Sequence, residues 1–245
     1  MIDIHCHFLP GIDDGPDTMD EAVSLARMAW KDGITHSILT PHIHPGRWEN
    51  EKNSIRRHYE NFRKALVDNA VPLAISFAAE VRLTDIIFQQ LESQQLPFLG
   101  NDGEYELMLL EFPHGHIIPG SGQFTKWLLK RGVRPVIAHP ERNKSVMRDM
   151  AVLDQFLEVG CLLQVTAGSL TGKFGAKAEE VALQLLDADR ITFVATDAHN
   201  LDARPPVLSE AYKLVVERKG AEHARKLFEG NQRAMTIAAA SVGSG

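Results

Sequence analysis

Residues 1–16 read MIDIHCHFLPGIDDGP, and the first seven decide what kind of fold the rest must build. Ile2, Ile4 and Cys6 alternate with Asp3, His5 and His7, which predicts an extended segment over Ile2–His5, because successive strand side chains point to opposite faces. The apolar set would then pack against helices. Asp3, His5 and His7 would share the other face, the disposition that two ligands of one metal ion require.

Outward from this stretch, Thr18 and Glu21 make a capping-box pattern, Met19–Trp30 has one apolar face, and Gly33 stands where the chain must leave a helix. The β-branched run Ile34–Thr40 completes a strand–helix–strand unit. The pattern recurs, with strands expected over Leu73–Ala79, Tyr105–Phe112, Arg134–His139, Cys161–Thr166 and Ile191–Thr196. Helices are expected over Ser54–Val67, Thr84–Gln94, Gly122–Arg131, Met150–Val159, Ala176–Ala188, Pro206–Lys219 and Ala221–Phe228. Seven strands alternating with helices imply right-handed crossovers and an α/β fold on a parallel sheet, either open and doubly wound or closed into a barrel. No linker divides residues 1–237, which read as one domain, and the small-residue stretch 238–245 reads as a flexible tail.

Composition narrows the function classes. The 245 residues are 44% apolar and 24% charged with a formal net charge of −6, ordinary for a folded globular chain and against disorder or coiled coil. No apolar run approaches the ~20 residues of a membrane span, and the start lacks a signal-peptide pattern, so the expected address is the cytoplasm. The acidic balance gives no general attraction for nucleic acid. Two cysteines, Cys6 and Cys161, make neither a disulfide framework nor a C-x-x-C pair.

Eleven histidines would give about 0.5 H-x-H pairs by chance, yet three occur: His5/His7, His42/His44 and His114/His116. Position is the stronger argument. His5 and His7, His42, Glu80, Glu111, His139, and Asp197 with His199 fall at or just past the C-terminal ends of successive expected strands, and only the sixth strand contributes none. Active sites of parallel barrels and sheets lie at that edge. Asp14, in the loop GIDDGP, adds a ninth candidate. His36, His58 and His223 read as surface or packed residues, while His44, His114 and His116 lie in loops at the expected mouth.

Imidazole and carboxylate donors without thiolate suit Mn, Fe or Zn. The candidates are too many for one ion but suit a bi- or trinuclear cluster of the kind that activates water and clamps phosphoryl oxygens. Asp14, Glu80, Glu111 and Asp197 against three divalent ions would leave a local charge of about +2, a field that favours an anionic substrate. Arg142 in HPER and Arg204 in DARPP lie close behind the candidate ligands, and a guanidinium fork matches phosphoryl oxygens. Neither cysteine is followed six positions on by an arginine, GSLTGKF at 168–174 departs from a phosphate loop, and no H-E-x-x-H or G-x-S-x-G is present.

With these motifs in this order, DIHCHFLPGIDDGP, TPHIHPG, AAE, LLEFP, IAHPER and TDAHN with RPP, the chain resembles the PHP (polymerase and histidinol phosphatase) metal-dependent phosphoesterases. More closely, it resembles the bacterial capsular-polysaccharide tyrosine-protein phosphatases over essentially its whole length. The resemblance implies a distorted (β/α)7 barrel of the PHP type, with three divalent metals, usually manganese, at the C-terminal end of the strands. It implies His5, His7, Glu80 and Asp197 on the first metal, Glu80, Glu111 and His139 on the second, and Asp14, His42 and His199 on the third. Arg142 and Arg204 match the family's phosphate-binding arginines, and Asp3 would hold a histidine ligand in place. Ile43 stands where many relatives carry a histidine, a departure expected to bear on substrate contacts. The implied reaction is hydrolysis of phosphotyrosine by a metal-activated hydroxide, on the tail of a bacterial tyrosine kinase that regulates capsular or extracellular polysaccharide. Phe8 and Trp48 could flank the tyrosyl ring.

Three other readings compete: a small-molecule phosphatase of histidinol-phosphate type, a non-catalytic metal-stabilised scaffold that binds a kinase, and an amidohydrolase-like C–N hydrolase. The last has no evident use for paired arginines. The cationic run Arg56, Arg57, Arg63 and Lys64 reads as a solvated helix face or a docking surface for an acidic partner.

Overall fold

The computed structural model describes residues 1–235, so the expected tail 238–245 lies outside the described residues. All seven expected strand positions are occupied, two of them by strands broken in mid-course. They are β1 (Ile2–Cys6), β2 (His36–Leu39) running on into β3 (His42–Ile43), and β4 (Ala74–Phe77) running on into β5 (Glu80–Arg82). A short β6 (Gly100–Asn101) precedes β7 (Glu106–Glu111), β8 (Val133–Ala138), β9 (Leu162–Thr166) and β10 (Phe193–Ala195). Among the described strands, β6, which was not anticipated from the sequence, alone pairs antiparallel, against β7.

Hydrogen bonding runs β1-β2-β4 in one ladder and β3-β5-β7-β8-β9-β10 in the other. These form one wall, because Ala78 N donates to Leu39 O (2.8 Å) and Glu80 N to Pro41 O (3.1 Å) across the breaks. The wall closes without a ladder. Asp197 N donates to His5 O (2.7 Å) and His7 N to Ala198 O (2.8 Å), just beyond β10. Asp3 fastens the same seam, its carboxylate accepting from Thr196 N (3.0 Å) and Thr196 Oγ1 (2.5 Å). Asp3 also holds the candidate ligand His5, through its backbone, accepting from His5 N (3.3 Å).

The first crossover follows the expected chemistry. Thr18 and Glu21 form a reciprocal capping box on α1 (Met19–Asp32), which ends at Gly33 with φ 94°. The further helices are α2 (Lys52–Asp68), α3 (Ile87–Glu92), α4 (Ser121–Lys130), α5 (Lys144–Arg148), α6 (Asp154–Leu157), α7 (Ala167–Leu170), α8 (Ala176–Asp187), α9 (Ser209–Lys219) and α10 (Ala221–Arg225). Three expected helices are clearly shorter or mixed: Thr84–Gln94 is reduced to α3, 150–153 is a 3-10 turn leading into α6, and the last helix passes from α10 into a π turn at 226–230. On α2, Arg63 pairs with Glu60 and Lys64 with Asp68, so its cationic run is partly neutralised within its own helix.

Period-two patterning sorts the core. Met108 and Leu110 join the large cluster shared with the helices, while Leu107 and Leu109 join a small one with Ile38, Val136, Phe193 and Ala195. This smaller cluster plugs the barrel interior below the mouth. Ile2 and Ile4 belong to it, whereas Cys6 lies in the helix-side cluster. The strict alternation expected for β1 therefore fails, because its register against β2 shifts between Asp3 and Cys6.

Candidate metal centre

Each expected ligand stands at the C-terminal half or just past the end of its strand position. His5 lies in β1 with His7 beyond it, His42 opens β3, Glu80 opens β5, and Glu111 closes β7. His139 follows β8, and Asp197 and His199 follow β10. The loop 11–16 folds back over the end of β1. A Cβ at Gly15 would stand 2.3 Å from the His7 carbonyl oxygen, so only glycine permits this approach, which carries Asp13 and Asp14 to the mouth.

Two site residues hold left-handed backbone, His139 at φ 34° and Asp197 at φ 52°. Such conformations cost about 1–3 kcal/mol for non-glycine residues and persist where the surroundings over-determine them.

The nine side chains converge. His5 Nε2 lies 3.2 Å from Glu80 Oε2 and 3.3 Å from Asp197 Oδ1, and His7 Nε2 lies 3.5 Å from each. His42 reaches Glu80 Oε2 with Nδ1 (3.0 Å) and Asp14 Oδ1 with Nε2 (3.3 Å), while His199 Nε2 is 3.3 Å from the same Asp14 oxygen. His139 Nε2 is 2.8 Å from Glu80 Oε1. Three sets have donor atoms mutually within 4.8 Å: His5, His7, Glu80 and Asp197; His7, Asp14, His42 and His199; and His42, Glu80 and Glu111. The third set contains His42 where the resemblance implied His139, which instead meets Glu80 from its other oxygen.

Does this arrangement fit metal ions? Glu80 Oε2, Asp197 Oδ1, His42 Nδ1 and His199 Nε2 are buried, and their contacts of 3.0–3.5 Å with one another's side chains and with His5, His7 and Asp14 lack hydrogen-bond geometry. Buried polar atoms are ordinarily paired, so a concentration of orphaned lone-pair donors fits cations with oxygen and nitrogen ligation. Part of the set is already in the protonation state that ligation needs, while His5, His7 and His42 are raised by their carboxylate neighbours against their own burial. Burial and the Arg142 charge push His139 down to about 3, and burial with the His7 charge pushes His199 down to about 4, so both are neutral donors. Burial disfavours the charged forms of Glu80 and Asp197, but His5 and His42 hold Glu80, and Arg142, His5 and Arg204 hold Asp197, well below the usual carboxylate range. Against its own burial, His42 is raised to about 9 by Glu80 and Asp14. Bound divalent ions would supply the positive charge that protons supply here.

Arg142 Nη2 (2.6 Å) and Arg204 Nη2 (2.5 Å) both reach Asp197 Oδ2, the oxygen facing away from His5 and His7. Arg142 comes from the short helical turn after His139. Arg204 is held by the Asn200 side chain, which accepts from the backbone N of Ala203 (2.8 Å) and Arg204 (3.0 Å). The Phe174 ring lies 4.7 Å from Arg142 Cζ and 6.0 Å from Arg204 Cζ. These groups line a cavity of about 210 Å³ with His44, His114 and Trp48 at its rim.

Comparison with known proteins shows the family. The family model described as "Capsular polysaccharide synthesis, CpsB/CapC" matches residues 1–237. The chain belongs to this family. It is 37% identical over 222 residues to the tyrosine-protein phosphatase YwqE of Bacillus subtilis, covering 91% of this chain and 86% of the relative. It is 30% identical over 238 residues to the tyrosine-protein phosphatase CpsB of Streptococcus pneumoniae, covering 95% and 97%. A solved structure from those of YwqE and CpsB, described as metal-dependent tyrosine phosphatases, superposes with a TM-score of 0.90 at 34% identity, covering 97% of this chain and 95% of that one. An organophosphorus hydrolase at 16% identity and a TM-score of 0.60 shares the fold.

Several expectations are corrected by this CpsB/CapC-family structure. Phe8 is fully buried in the main core and flanks no ligand space. Ile43 is 1% exposed and packs in the same core, away from the cavity lining. Trp48, by contrast, does line the cavity, and it lies over His42, with ring centroids 4.7 Å apart and 6° between planes. Of the loop histidines, His44 and His114 line the cavity and His116 does not.

The sixth strand position is not silent. Gln164 of β9 accepts from His5 Nδ1 at 2.8 Å, just as Asp13 Oδ2 accepts from His7 Nδ1 at 2.7 Å. Both contacts leave Nε2 facing the centre. Sequence reasoning missed Gln164, Asp13, Arg82 and Phe174. Gln164 alone carried a signal, as a polar side chain in the apolar strand Leu162–Thr166. Replacing Gln164 with Leu will weaken metal binding about 10–100-fold, while Gln164→Glu, which keeps the acceptor, will lose less. Metal titration calorimetry reads this directly, and equal affinity in all three proteins would refute the orienting role.

Proposed function

We propose that this chain is a metal-dependent protein-tyrosine phosphatase. It acts as one domain over residues 1–237, in the cytoplasm, on phosphotyrosines of a bacterial kinase that regulates capsular or extracellular polysaccharide synthesis. The observation that carries the reading is the double engagement of Asp197: one oxygen faces His5 and His7, and the other holds Arg142 and Arg204. A site for cations and a site for phosphoryl oxygens thus share one carboxylate.

In this reading the centre takes three divalent ions, manganese foremost, with iron and zinc compatible with the same donors. His5, His7, Glu80 and Asp197 would hold the first, Glu80, Glu111 and His139 the second, and Asp14, His42 and His199 the third. When bound, such ions lower the pKa of water and neutralise phosphoryl oxygens.

The rest is done by the chain. Arg142 and Arg204 present their forks to the phosphoryl oxygens and, being anchored on Asp197, set the phosphorus at a fixed place relative to the centre. Phe174 keeps both guanidinium faces covered on the apolar side. Gln164 and Asp13 hold the imidazoles of His5 and His7 in one tautomer and orientation. Neither cysteine serves as the nucleophile, since both are buried and raised by that burial above their ordinary pKa.

The test is substrate choice. Manganese-loaded protein is expected to turn over a phosphotyrosyl peptide with kcat/KM at least about tenfold above the matched phosphoseryl peptide and above histidinol phosphate. Preference for histidinol phosphate would move the reading to a small-molecule phosphatase. Turnover of none of the three by folded, loaded protein would leave the kinase-binding scaffold as the reading to pursue.

A further inference from the structure

Four arginines line the cavity: Arg47, Arg82, Arg142 and Arg204. Three are engaged by carboxylates, Arg142 and Arg204 on Asp197, and Arg82 on Glu111 at 2.9 Å. Arg47 is different. It is exposed at the rim, and among the described residues no carboxylate lies within ion-pair distance of its guanidinium.

The position of this cation is nonetheless set. Its Cζ lies 4.0 Å from the Trp48 ring centroid, and Trp48 is in turn stacked on His42. The turn beneath is closed by His44 N to Trp48 O (3.1 Å), Trp48 N to His44 O (2.8 Å) and Arg47 N to His44 O (2.9 Å). Gly46 takes φ 82° and its N–H donates to Glu49 Oε1 at 2.6 Å. That bond keeps the nearest acid of the turn on the backbone. A chain with net charge −6 repels acidic peptides in general, so a rim cation without a counter-ion stands out as a local exception.

We propose that Arg47 is a specificity-determining residue that selects an anionic side chain next to the scissile phosphotyrosine. This rests on the tyrosine-phosphatase reading above. With the phosphate at the floor of the cavity, the length of a tyrosyl side chain leaves the peptide backbone, and therefore the neighbouring residues, at the rim. The shared chemistry is an anion, supplied either by a carboxylate or by a second phosphotyrosine.

Manganese-loaded wild type, Arg47→Ala and Arg47→Lys should be compared on matched phosphotyrosyl peptides flanked by Ala, by Glu or by another phosphotyrosine. p-Nitrophenyl phosphate, which has no neighbours, serves as reference. Wild type should favour an anion-flanked peptide about three- to fivefold in kcat/KM over the Ala-flanked one, the gain residing in KM. That preference should vanish in Arg47→Ala, survive in part in Arg47→Lys, and shrink at about 0.5 M salt, with p-nitrophenyl phosphate turnover unmoved. A gain with only Glu, or with only the second phosphotyrosine, supports the proposal and names the source. Equal kcat/KM for all three peptides in wild type overturns it. So does a loss in Arg47→Ala shared equally by every substrate, since Arg47 would then merely support Trp48 and His42. Failure of wild type to hydrolyse any phosphotyrosyl peptide would instead remove the underlying phosphatase reading, and this proposal with it.

Discussion

Chelation followed by desalting will abolish turnover of p-nitrophenyl phosphate by this chain, a loss of at least about 10³-fold, and added manganese will restore it. Without cations, Asp14, Glu80, Glu111 and Asp197 face one another with only protons and arginines to offset them. A phosphate dianion approaching that set is repelled rather than drawn in. The stripped protein will also melt at lower temperature, because ions that bind only the folded state stabilise it by mass action. Lowering the pH works in the same direction. Every donor must be unprotonated to bind, so protons compete increasingly as pH falls, and activity should be gone by about pH 4. Full activity in protein whose metal content, measured by mass spectrometry, is far below one ion per chain would end this account.

Asp197→Asn is expected to be the most damaging single substitution, with kcat lower by about 10³–10⁴-fold. Asparagine preserves size and tolerates the left-handed backbone at φ 52°, so the seam around residue 197 is spared and the loss isolates the charge. Two effects combine. A donor oxygen within 3.5 Å of His5 and His7 becomes a neutral amide, and Arg142 and Arg204 lose the anion that anchors both. Arg142 is only 12% exposed in its side chain, so leaving it unpaired should also cost on the order of 3 kcal/mol of stability. Thermal melts and metal content, measured beside kinetics, separate folding from chemistry. A variant that is folded, metal-loaded and within tenfold of wild type would show that Asp197 does not join the two halves of the site.

Much of this was readable from residue order. Strand position and polarity together were enough to nominate eight of the nine side chains that converge, Asp14 coming from the loop after β1, because in a parallel α/β wall every strand delivers its end to the same rim. The short strands that resume after these ends, His42–Ile43 and Glu80–Arg82, were not readable, since the expected strands stop at Thr40 and Ala79 and two or three residues carry no periodicity of their own. Asp3 does hold His5, but its second contact, with Thr196 across the seam, depends on a partner far away in sequence. Phe8 misled because closeness in sequence to a ligand says nothing about burial. Gln164, Asp13 and Phe174 act through contacts with residues far away in sequence, and only the folded arrangement supplies those partners.

The closing seam has a consequence for how the molecule comes into being. Thr196 binds Asp3 across 193 residues, and at the ~5–20 residues per second of synthesis the amino-terminal histidines wait roughly 10–40 s for the strand that completes their surroundings. A nascent or truncated chain ending before that strand carries His5 and His7 but no Asp197, no Arg204 and no seam. It is a phosphatase in composition only. The site's surroundings can close only once residues 196–198 are available to β1.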